Sequence, residues 1–138
     1  MRQVVVPGVV VLDGRGGSQP LVELIPTVAK DAPQVEVKWI ETDGVLLGIE
    51  GALGFLRSVA ADGSVILDRM METEGPSRYP TPPGEQTLVA YYRTCDGNCG
   101  TLDPEEQLCA QVGALESGHA YVLEVSLRTR ACRLTKSD

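Results

Sequence analysis

The chain has 138 residues, 43% of them hydrophobic, with 19 acidic against 12 basic side chains and a formal net charge of −7. That length fits a single domain, residues 1–138, with a real core; the hydrophobic fraction argues against disorder, and no apolar run reaches the length of a transmembrane segment. The acidity argues against unaided nucleic-acid binding, which needs clustered Lys and Arg on phosphate.

In chain order, "MRQVVVPGVVVLDGRGG" has the outline of a signal peptide but not its parts. Pro7 and Gly8 break the apolar run, only Arg2 supplies a positive flank, and no small-residue cleavage site follows. Two expectations therefore stay open: an intracellular protein, or the mature part of an exported one. "VVVPGVVVLDG" reads as a first strand bent at Pro7 and Gly8, and "PLVELIP" as a short second one. "DGRGGS" lacks the Lys-Ser/Thr of a phosphate loop and the glycine spacing of a dinucleotide site, so it reads as a turn. "QVEVKWI" alternates, with Val35, Val37 and Trp39 on one face and Glu36, Lys38 and Ile40 on the other. "GVLLGIEG" and "GFLRSVA" follow, and "ADG" turns the latter into "SVILDRM" as a hairpin.

"METEGPSRYPTPPGE" has no periodicity and reads as a Pro-rich surface crossing. "QTLVAYYRTC" is the strongest strand, setting Leu88, Ala90 and Tyr92 against Val89, Tyr91 and Arg93. The chain closes with a short strand, a Glu-Ser-Gly turn and one long strand from about His119. Period-2 runs punctuated every eight to twelve residues favour an all-β fold, an antiparallel β-sandwich or a barrel.

Three of the four cysteines fall in "YYRTCDGNCGTLDPEEQLC", residues 91–109. Structural zinc favours two close C-x2-C pairs, whereas Cys95, Cys99, Cys109 and Cys132 offer one close pair with a three-residue gap. A thioredoxin-type C-x-x-C is absent. Two disulfides fit an even count around one loop of a small β domain outside the cytosol. Of three connectivities, Cys99 to Cys109 with Cys95 to Cys132 closes a local loop, but it requires the last strand to reverse near Arg128 to Arg130, because an unbroken strand would carry Cys132 about 40 Å away from Cys95 at ~3.3 Å per residue.

Asp96, Asn98, Asp103, Glu105 and Glu106 are the candidate binding residues of this loop. A calcium reading fails on order, since Gly100 stands where an EF-hand places a ligand. Asp103-Pro104-Glu105-Glu106 instead reads as the capped first turn of a short helix. No catalytic residue emerges: His119 has no nucleophile context, Glu72 and Glu74 have no cleft, and Arg128, Arg130 and Arg133 read as a solvated face. Tyr79, Tyr91, Tyr92 and Tyr121 offer aromatic contact area, although alternation sends Tyr91 or Tyr92 inward.

"PTPPGEQTLVAYYRTC" and the later "LESGHAYVLEVSL" resemble the Pro-Gly turn and last two strands of prealbumin-like domains, including carboxypeptidase-regulatory-like and Cna-B-type modules. The wider "PPGEQTLVAYYRTCDGNCGTLDP" is similar to a group of uncharacterised actinobacterial Cys-rich envelope proteins, many with lipoprotein-type leaders. The resemblance covers residues 80–134 and implies a prealbumin/immunoglobulin-like sandwich in the cell envelope; it assigns no catalytic group.

The expectation is a disulfide-stapled, non-catalytic sandwich, secreted or in the cell envelope, that binds a protein or small-molecule partner without cofactor, metal or nucleic acid. The alternatives are a small intracellular protein holding zinc through its cysteines, and an enzyme on a β scaffold.

Overall fold

The computed structural model describes residues 19–20, 23–40, 52–71, 77–94 and 101–137. The expected first strand, the "DGRGGS" turn, "GVLLGIEG", Glu72, Glu74, Cys95, Asp96, Asn98 and Cys99 lie outside those residues.

Alternating segments become strands wherever a turn lets the chain reverse. After β1 (Gln19–Pro20) come β2 (Gln34–Ile40), β3 (Ala52–Ala60), β4 (Val65–Met70), β5 (Ser77–Pro80) and β6 (Gly84–Thr94), and then β7 (Thr101–Leu102), β8 (Glu106–Leu115), β9 (Ala120–Ser126) and β10 (Ala131–Lys136). One sheet has the order β4-β3-β6-β8, a second β10-β9-β2-β5, and β1 pairs with β7. The fold is an all-β sandwich, with no helix among the described residues.

The core lies between the sheets. Val35, Val37, Leu123 and Val125 of one sheet pack with Leu56, Leu67, Leu88 and Ala90 of the other, with Trp39 and Tyr92 packed at the margin. The Trp39 ring rests on Gly54, where a Cβ would stand 2.9 Å from its Cζ2 atom. Strand β6 splits by parity, so Leu88 and Ala90 point inward while Tyr91 joins Phe55 and Leu102 in a second cluster on the outer face. Opposite β6, the register slips between Ala90, which faces Cys109, and Tyr91, which faces Gln107. That bulge makes Leu108 an extra residue and explains why Leu108 and Cys109 are buried in succession.

The "ADG" hairpin forms as expected, with Gly63 at φ +90° and the Ser64 amide donating to Asp62 Oδ1 at 3.0 Å. Four expectations change. The Pro-rich crossing contains β5, which pairs with β2 and buries Tyr79 beneath it; proline is tolerated there because Pro80 ends a strand at one side of the sheet. No helical turn follows Asp103, because Glu106 already pairs with Tyr92 and the demand of β6 for a partner overrides the local cap signal. The last strand is two strands, β9 and β10, reversed through residues 127–130 with Arg130 at φ 55°. The Thr129 amide donates to Ser126 Oγ at 3.2 Å inside that turn, a local bond that "RTR" does not advertise. Finally, the pairing is not wholly antiparallel: β2 and β9 run parallel, from Gln34 opposite Ala120 to Ile40 opposite Ser126, because both start at the same end of the sandwich.

Strand β10 also lies beside β8 across the sheet boundary. Cys109 and Cys132 are joined there by a disulfide, with Cα atoms 5.4 Å apart. Leu134 fills the space that a side chain at Gly113 would need. Ion pairs mark the ends, Arg130 with Glu106 at 3.5 Å and Lys136 with Glu116 at 4.0 Å. Cys109 and Cys132 are thus each other's partner. The reversal does occur, but it brings Cys132 alongside β8, which replaces the pairing of Cys99 with Cys109 and of Cys95 with Cys132.

Candidate functional site

The densest polar chemistry among the described residues sits on the outer face of the β4-β3-β6-β8 sheet. The tight β3–β4 hairpin places Arg57 directly opposite Asp68, and β6 brings Tyr91 opposite Phe55. Arg57 Nε donates to Asp68 Oδ2 at 3.1 Å, while Nη1 and Nη2 donate to the two carboxylate oxygens of Glu105, each at 2.8 Å. The Tyr91 hydroxyl donates to Asp68 Oδ1. The guanidinium carbon also lies 4.5 Å from the centre of the Tyr91 ring, which stacks on Phe55 at 5.1 Å.

Residues 101–105 cross this face as a strap. Leu102 is fully buried against Phe55 and Tyr91. Arg93, only 2% exposed, donates through Nε to the Asp103 carbonyl at 2.6 Å and through Nη2 to the Leu102 carbonyl at 3.1 Å. Glu105 then pins the far end of the strap to Arg57.

Burial governs the electrostatics. It pushes the Asp68 carboxyl above the ordinary aspartate value, against the opposing pull of Arg57 and the Tyr91 hydrogen bond. It pushes the Tyr91 hydroxyl up as well, reinforced by the Asp68 charge. For Arg57, burial works against the charge, yet the Glu105 hydrogen bond and the attraction of Asp68 outweigh it and hold the guanidinium above its ordinary value. The cluster is thus a charged staple whose donors and acceptors are spent on one another, and it fixes the strap to the sheet.

The candidate loop residues separate in the structure. Asp103 accepts from Thr94 Oγ1 at 2.7 Å, Glu105 is held by Arg57, and Glu106 accepts from the Tyr92 hydroxyl and pairs with Arg130. The Tyr92 bond draws Glu106 below the ordinary glutamate value, and the same bond raises Tyr92. His119 lies at the start of β9, its carbonyl accepting from the Gln34 amide at 3.2 Å. At the opposite edge of the core, Gln86 Oε1 accepts from Ser58 and Thr81, each at 2.6 Å, closing a buried network. Among the described residues no group of three or more His, Cys, Asp or Glu side chains is placed to hold a metal ion.

Sequence reasoning missed Arg57 and Asp68. The sequence carries no direct signal for the pair: counting outward from "ADG" sets Arg57 opposite Leu67, and only the register shift between Ser58 and Val59 brings Asp68 opposite it. Arg93 was placed on the correct face, but its burial depends on the strap, which the strand pattern does not reveal.

No family model and no curated protein sequence matches the chain. Among solved structures, the crystal structure of a protein titled a "putative cell adhesion protein", from Bacteroides ovatus, is similar at 19% identity with a TM-score of 0.46. The match covers 78% of this chain and 44% of that one, so the chain spans less than half of that protein's length. At that TM-score the likeness carries no functional argument.

Proposed function

We propose that the protein is an exported, disulfide-stapled β-sandwich module, prealbumin-like and akin to the actinobacterial envelope proteins it resembles, that binds a protein or small-molecule partner rather than catalysing a reaction. The Cys109–Cys132 disulfide carries the reading, since such bonds persist in oxidising compartments. It also removes two of the four thiolates that a cysteine zinc site would need. The self-satisfied Arg57 cluster favours a structural role for the most reactive-looking side chains.

Topology supports one end of the sandwich as the binding end. Ile40 pairs with Ser126 and Ala52 with Thr94, and the Trp39 ring against Gly54 brings these strand ends, with the turn at residues 127–130, to one end of the sandwich. Asp96 and Asn98 follow Thr94 closely in sequence, and the Thr94 hydroxyl donates to Asp103. We assign partner contact to this end, with Asp96, Asn98 and Asp103 as the first residues to test. Loops set on a rigid sandwich are where binding residues concentrate.

A photo-crosslinking residue at position 98 in the native cell, with position 85 at the opposite end as control, tests the reading. Envelope-associated protein that crosslinks to a partner from 98 and not from 85 is the expected result. Cytosolic protein with free thiols, or equal crosslinking from both positions, sinks it.

A further inference from the structure

Strand β10 is attached to the sandwich in an unusual way. It turns only two residues toward the core, Cys132 and Leu134, and its other side chains are exposed. One neighbour is β9, in a regular antiparallel ladder. The other is β8, reached through the disulfide, the Gly113 niche and two exposed ion pairs. Those pairs hold side chains about half exposed, at 3.5 and 4.0 Å, a setting in which such contacts contribute little. The principal inter-sheet core, from Leu56, Leu88, Leu123 and Val125, lies inboard on β3, β6 and β9.

From this we infer that Cys109–Cys132 is a redox-releasable clasp: its reduction frees β10 and uncovers the backbone edge of β9 while the rest of the sandwich stands. The inference does not depend on the binding reading. The reductant is a dithiol. Its thiolate attacks Cys132 Sγ, the less buried partner, forming a mixed disulfide and releasing Cys109 as a thiolate that takes up a proton. The second thiol of the reductant then closes on its own mixed disulfide, leaves as the oxidised disulfide and returns Cys132 as a thiol. One S–S bond is lost from the protein and one gained by the reductant. What remains to hold β10 is its ladder with β9, one leucine and exposed ion pairs to Glu106, Glu116 and Glu124, and the freed edge of β9 exposes unpaired amides and carbonyls of the kind that accept an added strand.

Hydrogen exchange on the Cys95→Ser/Cys99→Ser variant, with and without dithiothreitol, isolates this bond. On reduction, peptides covering residues 131–136 are expected to exchange at least tenfold faster, while residues 84–94 of β6 stay within twofold. Equal acceleration in β6 and β10 would make the bond a general stabiliser, and no acceleration in β10 would make it idle; either overturns the clasp. Leu134→Ala in the oxidised protein separates the two anchors. Strand β10 should keep most of its protection there, and a β10 as labile as in the reduced protein overturns the inference too.

Discussion

The two faces of the β4-β3-β6-β8 sheet solve the same problem in opposite ways. The inner face buries Leu56, Leu88 and Ala90 against the second sheet by apolar contact, with the neutral Ser58–Gln86–Thr81 network at one edge. Among the described residues the outer face is crossed by the strap of residues 101–105, which pairs with β1, and that thin cover is held by charged donors: Arg57 to Glu105 and Asp68, Arg93 to two strap carbonyls. Apolar packing is additive and tolerant of repacking, whereas a charged cluster fails when one member leaves.

That contrast can be broken first at Arg57. Arg57→Ala strands two carboxylates beneath the strap and is expected to cost about 3–5 kcal/mol in denaturant unfolding. Replacing Arg57, Asp68 and Glu105 together by Met, Leu and Met should recover most of that loss, because no charge is then left unpaired. A triple variant as unstable as the single one would show that the charges stabilise the sheet rather than specify the cover.

On the inner face, Leu88→Ala should cost about 3 kcal/mol through lost transfer energy and a cavity. Trp39, the one tryptophan, reports the same transition by fluorescence. Tyr91→Phe, three residues along the same strand but facing outward, keeps the ring on Phe55 and loses one hydrogen bond to Asp68, for about 1–2 kcal/mol.

The smallest effect is in pH. Burial raises Asp68 in the folded protein, so the folded state holds that proton more tightly than the unfolded chain does. Its contribution to stability grows as pH falls through the raised pKa and stops growing below about 4, where the unfolded chain is protonated as well. Unfolding free energies of the native protein and Asp68→Asn between pH 4 and 7 should therefore diverge in favour of the native protein toward acid. Convergence toward acid would mean that Arg57 outweighs burial at this carboxyl.

The strands of the sandwich were legible where alternation and a turn coincide, as in "QVEVKWI" and "GFLRSVAADGSVILDRM". They were illegible where a turn is made without Gly or Pro, as at residues 127–130, where a serine hydroxyl and an arginine at positive φ do the work. Strand β5 was hidden because prolines mask a side strand whose identity comes from its neighbour β2. The disulfide reading identified Cys109 and Cys132 as bonded cysteines but not as each other's partner, since that depends on the unsignalled reversal. The acids of the candidate loop were visible as charges, while the engagement of Glu105 and Glu106 by Arg57, Tyr92 and Arg130 is a tertiary fact.

The parallel ladder between β2 and β9 also sets an order of assembly. Strand β2 has β5 as a nearer neighbour, but its longer ladder is with β9, encoded most of a chain length later, whereas β3, β4, β6 and β8 find one another through nearer connections. The β4-β3-β6-β8 sheet can close before β9 and β10 have docked. The second sheet then completes from the C-terminal side, with loop closure across the long gap as the slow step of folding.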